Sequence, residues 1–386
     1  MLGVADDQHT PTADLAAQLV RVPSITPTDA GCQKIVAERL RAAGFTVHEL
    51  RFGQVENLYA RFGTTGKHLC LAGHTDVVSP GDASQWQCDP FAGEIHDGHL
   101  IGRGVADMKG GVAALVVAVE RYLQAHPDFA HSISFLITGD EEGDAVDGTI
   151  KVLEWLKQRG ERLDFCLVGE PTSDTTLGDQ YKNGRRGSLN GEIRIPGRQG
   201  HVAHPHLADN PIHRAMPLLA RLVGLRFDNG SADFPPTSLQ LTTIHAGEAT
   251  TNNVIPGLLI ARFNIRFGTA STPESLEQAI RGVLDADGHP YGLRLELSGL
   301  PFLTESGLLA DCLRQATQAV LGVVARPSTG GGTSDARFIS RDCPQTLELG
   351  LVGKTIHKVN ESTPVDDLEQ LSRVYEQLME RLFAAL

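Results

Sequence analysis

Three apolar stretches in the first half of the chain each run straight into side chains that can bind a metal or move a proton. Residues 67–73 (KHLCLAG) lead into His74-Thr75-Asp76, residues 131–138 (HSISFLIT) into Gly139-Asp140-Glu141-Glu142, and residues 164–169 (DFCLVG) into Glu170. Runs that are apolar throughout, rather than alternating, belong to strands buried on both faces. Helical segments separate them: 11–22, then 31–43 closed by Gly44, then the apolar GGVAALVVAVERYLQAH that comes after Lys109 and stops before Pro127. Strands alternating with helices predict an α/β domain on a mixed, largely parallel sheet. In such sheets ligands sit beyond the carboxyl ends of the strands, so the three polar endings mark where the chemistry is expected.

The pattern changes near residue 188. LNGEIRI, SLQLTTIHAG, GLLIARFNIRFG and YGLRLELSG alternate apolar with polar residues, as half-exposed antiparallel strands do. Two helices lie among them, NPIHRAMPLLARLVGLRF and TPESLEQAIRGVLDADG, the second opening on a capping-box-like region from Thr272 to Ser275 and Glu277. Residues 188–298 therefore predict a small α+β domain inserted into the first. From 306 onward helix and strand alternate again, ending in an amphipathic helix over 366–384. The expected division is 1–187 with 299–386 as one discontinuous catalytic domain and 188–298 as the insertion.

Charge narrows the partners. Against 47 acidic residues stand 34 basic ones, a net charge of −13. Phosphates would be repelled at long range, so neither nucleic acid nor an anionic membrane is expected as a partner. No apolar run approaches the roughly 20 residues that span a bilayer, and MLGVADDQHTPT lacks the basic and apolar segments of a signal peptide. Six scattered cysteines without a CxxC pair point to reduced, mostly buried thiols. These features predict a cytoplasmic protein.

The candidate metal ligands are His74, Asp76, Asp107, Glu141, Glu142, Glu170 and His357. Each alone has a duller reading. A single histidine is usually a surface or core residue, two adjacent glutamates usually form a solvated turn, and Asp107 could cap the helix that begins near Lys109. Their recurrence at successive strand ends is what argues for a site. HExxH, GxSxG, a phosphate loop and a dinucleotide fingerprint are all missing; Gly102-Arg103-Gly104 has Asp107 where the third glycine of the last belongs.

Gly73-His-Thr-Asp-Val-Val, Gly102-Arg-Gly-Val-Ala-Asp-Met-Lys-Gly-Gly, Gly139-Asp-Glu-Glu and Val168-Gly-Glu-Pro resemble the signatures of the di-zinc deacylase and carboxypeptidase superfamily. Motifs in both expected domains extend the likeness from about residue 12 to 384: Lys182-Asn-Gly-Arg-Arg-Gly-Ser, Gly200-His-Val-Ala-His-Pro-His, Asn252-Asn-Val-Ile-Pro, Thr329-Gly-Gly-Gly-Thr-Ser-Asp-Ala-Arg-Phe-Ile and Ile356-His-Lys-Val-Asn-Glu. The resemblance implies two Zn²⁺ per subunit, with Co²⁺ or Mn²⁺ possible at one site because oxygen-rich donor sets select metals loosely. It implies that His74 and Glu170 hold one ion, Glu142 and His357 the other, and Asp107 both. Asp76 would fix the His74 ring through its far nitrogen, and Glu141 would serve as general base. The inserted domain would form a homodimer and act as a lid, His201 reaching the reacting carbonyl from the partner subunit to stabilise an oxyanion.

Within the superfamily these motifs imply cleavage of N-succinyl-L,L-2,6-diaminopimelate, a small substrate with three carboxylates. An acidic protein then needs a local basic pocket, which Arg185, Arg186 and Arg266 would supply. Ser188, Thr333, Asn252 and Asn253 would add polar contacts, and the Gly330-Gly331-Gly332 run could offer an anion nest. A related deacylase for a neutral acetyl group, as in acetylornithine hydrolysis, is the alternative; it has no need of those arginines. A non-catalytic binding protein would be expected to have lost a ligand or the base, and all are present. One departure stands out: Gly353 occupies a position, four before His357, where many relatives carry a side-chain amide. Its substrate contact is lost, or falls to backbone and Lys354.

Overall fold

The computed structural model describes residues 9–247 and 252–386. They form two compact units, one holding residues up to Asn183 with Thr304–Ser328 and Ser334–Leu386, the other Gly184–Leu303 with Thr329–Thr333.

The first unit is built on an eight-stranded mixed sheet in the order Thr46–Phe52, Val55–Phe62, Ser132–Thr138, His68–His74, Phe165–Val168, Gln345–Glu348, Gln180–Lys182, Arg326–Ser328. The four central strands run parallel, with Leu71 opposite both Phe135 and Leu167. Every residue of Ser132–Thr138, His68–His74 and Phe165–Val168 is buried. The alternate side chains Leu69, Leu71, Ile133, Phe135, Phe165, Leu167 and Leu347 face a core shared with helices Pro11–Val20, Gly110–Ala125, Leu308–Leu321 and Val365–Ala384. Each such Leu or Phe contributes about 1.5–3 kcal/mol by leaving water, so the central strands cannot slip register without exposing a whole row.

Two hairpins lie outside the helix–strand alternation read from the sequence. Thr46–Phe52 and Val55–Phe62 pair antiparallel around a turn at Gly53, and the second joins Ser132–Thr138 antiparallel. The first strand is only partly buried, with no clean period to betray it. Glu94–His96 and His99–Ile101 form the other hairpin, extended by Ser362–Pro364.

The second unit carries a four-stranded antiparallel sheet, Ser238–Ala246, Leu258–Phe267, Gly187–Pro196, Gly292–Gly299. Leu189, Ile193, Ala261, Phe263 and Ile265 face helices Pro211–Val223 and Pro273–Asp285. Both helices are capped as such sequences dictate. Asn210 accepts from the Ile212 N–H at 3.0 Å, and Thr272 and Ser275 close a capping box; Glu277 instead pairs with Arg281. This unit is wider than 188–298. It begins at Gly184 and takes in Thr329–Thr333, because Gly184–Arg185 pairs with Phe302–Leu303 and the Thr329 hydroxyl donates to the Asp233 carbonyl.

Candidate metal centre

His74 is the last residue of its strand and lies opposite Thr138, the last of the neighbouring one; Phe165–Val168 ends on the other side, two residues before Glu170. The three strand ends thus bring His74, Glu141, Glu142 and Glu170 to one edge of the sheet. Asp107 arrives from the Gly104–Gly110 turn. Its side chain caps no helix: the next helix starts at Gly110 without a side-chain cap. One Asp107 oxygen lies 3.2 Å from His74 Nε2, the other 3.4 Å from His357 Nε2. His74 Nε2 is also 3.8 Å from Glu170 Oε1, and His357 Nε2 is 2.9 Å from Glu142 Oε1. Ligand atoms of His74, Asp107 and Glu142 lie within 4.8 Å of one another, as do those of His74, Glu141 and Glu170. Two histidines, each beside its own glutamate and sharing one aspartate, fit a pair of divalent ions.

Asp76 sits differently from the expectation. The His74 Nδ1 bond goes to the Asp76 main-chain carbonyl at 2.9 Å, and the carboxylate stays 3.6 Å away. That carboxylate accepts instead from Thr26 Oγ1 at 2.8 Å and from the Glu141 and Glu142 amides at 3.3 and 3.1 Å. It therefore holds the turn that splits the two glutamates between the two histidines. The carbonyl bond still fixes the ring, leaving Nε2 to face Asp107.

His357 adopts φ +60° and Asn360 φ +59°. Left-handed backbone at such residues costs roughly 1–3 kcal/mol each and persists only where the surroundings hold it; Asn360 Oδ1 accepts from the Gln87 N–H at 2.8 Å. Gly353 donates its own N–H to the Ser173 carbonyl at 3.1 Å, so that amide is not spare for a substrate. An added Cβ there would press on the Pro171 carbonyl at 3.0 Å.

The charges are tightly opposed. Burial disfavours protonated His74, but the hydrogen bond to Asp107 and the charges of Glu141, Asp76 and Asp107 prevail and raise it well above the usual imidazole range. Hydrogen bonds to Asp107 and Glu142 lift His357 to about 10. Burial, then the charge of Glu170, pushes the Glu141 carboxyl well above its ordinary value, with Asp335 contributing. Asp335 is itself buried, with Arg337 Nη2 3.9 Å from its Oδ1. Asp335 stands inside the Thr329–Ile339 motif, but the motif gives it no partner; the fold brings it near enough to act on Glu141.

Protein stripped of metal should depend on pH. Both histidines are raised on folding, so their ion pairs stabilise the stripped fold fully below the unfolded value near 6.5 and fade as pH climbs through the folded value, about 10 for His357. Tm of the stripped protein is expected to fall between pH 7 and 10 while metal affinity rises, because protons stop competing for the imidazoles. Calorimetric titration at pH 7 in buffers of different ionisation enthalpy should show proton release on loading. Buffer-independent heats would contradict the protonated pairs.

The other expected site residues all lie in the second unit. Ser188 is paired in register with Arg266, and Arg185 and Arg186 stand just before it. Arg186 Nε and Arg266 Nη1 are buried with no hydrogen-bond partner among the described residues. Burial, and then the charge of Arg186, lowers the Arg266 pKa. Two cations held together with unmet donors make an anion-binding feature. Arg185 Nη1 donates to the Gly332 carbonyl at 3.2 Å, so the glycine run presents an acceptor to this arginine rather than only N–H groups. Thr333 is half-buried in the same run, and Asn252 and Asn253 are exposed. His201 is exposed; its Nδ1 accepts from the Ala203 N–H at 3.1 Å, which leaves the proton on Nε2.

A sheet whose strand ends gather one histidine and three glutamates, met there by Asp107 from a turn and His357 from a late loop, defines a metal-centred hydrolase of the α/β type. The chain belongs to Peptidase family M20/M25/M40, whose model matches residues 70–381. A Magnetococcus marinus protein named succinyl-diaminopimelate desuccinylase is 57% identical over 371 residues, covering 96% of this chain and 97% of that protein. Among solved structures, the M20 family metallo-carboxypeptidase of Sulfolobus solfataricus matches with TM-score 0.80 at 15% identity, over 97% of this chain and 99% of that one. A dinuclear metal-binding M20 peptidase of Bacillus subtilis matches with TM-score 0.73 at 16% identity, over 98% of each chain. At such identities the structures speak for the fold.

Proposed function

We propose that this chain hydrolyses the succinyl amide of N-succinyl-L,L-2,6-diaminopimelate, releasing succinate and L,L-2,6-diaminopimelate for diaminopimelate and lysine biosynthesis. The observation that carries the reading is the Asp107 carboxylate, one oxygen at His74 and the other at His357. Near-identical length and 57% identity to a protein of that name give the substrate.

His74 and Glu170 would hold one Zn²⁺, Glu142 and His357 the second, and Asp107 both; Co²⁺ or Mn²⁺ could replace one. Bound there, the ions acidify a water and polarise the amide carbonyl. Glu141 lies within reach of Glu170 and His74, and in this reading it serves as the base rather than as a ligand. It takes the proton from water and delivers it to the leaving amine, and burial with the charge of Glu170 raises its carboxyl above the ordinary value, in the direction a proton carrier needs. Arg186 and Arg266, with Arg185, Ser188, Thr333 and Asn252, bind the substrate carboxylates, which an acetyl group would not require.

The second unit acts as lid and dimerisation domain. Ser238–Ala246 is an edge strand of its sheet, and Ile244, Met216 and Val223 expose more than half of their surface. Across that dimer His201, with the proton on Nε2, donates to the developing oxyanion. Replacing His201 by alanine is expected to lower kcat by about 10²–10³-fold with metal content unchanged; unaltered turnover would remove that role. Free cysteines at all six positions suit a reducing compartment and support the reading of a cytoplasmic enzyme. No helix among the described residues is long and apolar enough to cross a membrane.

The test compares N-succinyl-L,L-diaminopimelate with N-acetylornithine, using protein reconstituted with two equivalents of Zn²⁺ and an EDTA-treated control. Selective, metal-dependent cleavage of the succinyl substrate is expected. Cleavage of the acetyl substrate alone would keep the metal site and overturn the substrate.

A further inference from the structure

Glu361 is fully buried and belongs to none of the roles above. Its carboxylate accepts four hydrogen bonds. Oε2 takes Arg103 Nη1 at 2.7 Å and the Gly104 N–H at 3.0 Å; Oε1 takes the Ala106 N–H at 3.0 Å and the Asp107 N–H at 3.1 Å. Three of these donors are main-chain N–H groups of the turn that presents Asp107. The fourth, Arg103, is itself buried and lies over the Trp86 ring. Two donors on each oxygen leave no position for a carboxyl proton, so the geometry is that of a carboxylate.

Glu361 is also fixed at its own backbone. Its carbonyl accepts from the Gly102 N–H at 2.9 Å, and the next residue, Ser362, pairs with Ile101. It stands four residues after His357, beyond the left-handed Asn360. One side chain thus ties the turn carrying Asp107 to the segment carrying His357.

We infer that Glu361 is a positioning residue that presets the Asp107 carboxylate between the two metal positions and keeps it in register with His357. This rests on the reading of Asp107 as the ligand shared by two ions. A metal could order that turn by itself, but here the protein orders it through a buried anion. Glutamine is the informative substitution: its NH₂ must face two donors, whichever way the amide turns, so one half of the clamp opens while shape is kept.

The experiment uses full-length wild type, Glu361→Gln and Glu361→Asp, loaded with Co²⁺ and followed by visible absorption, affinity and turnover of N-succinyl-L,L-diaminopimelate. Glu361→Gln is expected to weaken Co²⁺ binding and lower kcat by about 10–100-fold, with an altered Co²⁺ spectrum and KM within about threefold of wild type. Glu361→Asp, which keeps the charge, should recover part of the loss. A stable Glu361→Gln protein with wild-type spectrum, affinity and kcat would overturn the assignment. So would a variant that is merely less stable but turns over normally once loaded.

Should Glu361→Gln fail to fold, hydrogen exchange on EDTA-stripped wild type decides. Protection of the Gly104, Ala106 and Asp107 amides without metal supports the clamp. Free exchange until Co²⁺ is added refutes it. If wild type itself does not take up two Co²⁺ ions, the shared-ligand reading falls, and that outcome involves no substitution at Glu361.

Discussion

Glu141→Gln protein is expected to bind two metal ions as wild type does and to lose about 10²–10⁴-fold in kcat. Glutamine matches glutamate in shape but cannot accept the proton of an attacking water. The five proposed ligands, His74, Asp107, Glu142, Glu170 and His357, are untouched by the change. The turn should also survive, because the Asp76 carboxylate holds the main-chain amides of residues 141 and 142 rather than the Glu141 side chain. Metal analysis beside steady-state kinetics checks both halves. Near-normal turnover would remove Glu141 as base, and loss of an ion together with activity would make it a ligand instead.

Asp107→Ala is expected to bind fewer than two ions and to lose about 10³-fold or more in kcat/KM. Among the described residues the shared carboxylate is the only group within 3.5 Å of both imidazoles, and without it His74–Glu170 and His357–Glu142 become separate, incomplete sets of donors. Electrostatic stabilisation by bound metal is worth several kcal/mol, and each 1.36 kcal/mol is tenfold in rate. The histidines would also lose the partner that raises their pKa values, so proton release on loading should shrink. Full occupancy of both sites in Asp107→Ala would end the shared-ligand reading, whatever the activity.

The strand ends were legible because a parallel sheet puts chemistry at a predictable place. Short apolar runs of about four to eight residues between helical segments fit central strands, and the residues just after each parallel run emerge at the same edge. His74, Glu141, Glu142 and Glu170 are visible on that ground alone. The insertion was legible from its switch to alternation, but its ends were not. Gly184–Arg185 and Thr329–Thr333 join it through one short strand pair and one hydroxyl bond, too few residues to leave a period. The Thr46–Phe52 and Val55–Phe62 hairpin was missed because an edge strand with partial burial on both faces has no period to read.

Residue type and order, then, determined the parallel core, the donors at its strand ends and the presence of an alternating insertion, since burial of a strand or a helix face is written in local pattern. Tertiary structure decided which donors meet. It placed His357 against Asp107 across 250 residues of chain, counting from 107 to 357. It moved the Asp76 carboxylate off the His74 ring and onto the glutamate turn. It brought Asp335 near enough for its charge to act on Glu141 and closed four donors around Glu361. Contacts of that kind depend on distances between residues remote in sequence, and a buried charge is stable only where the fold brings its partners.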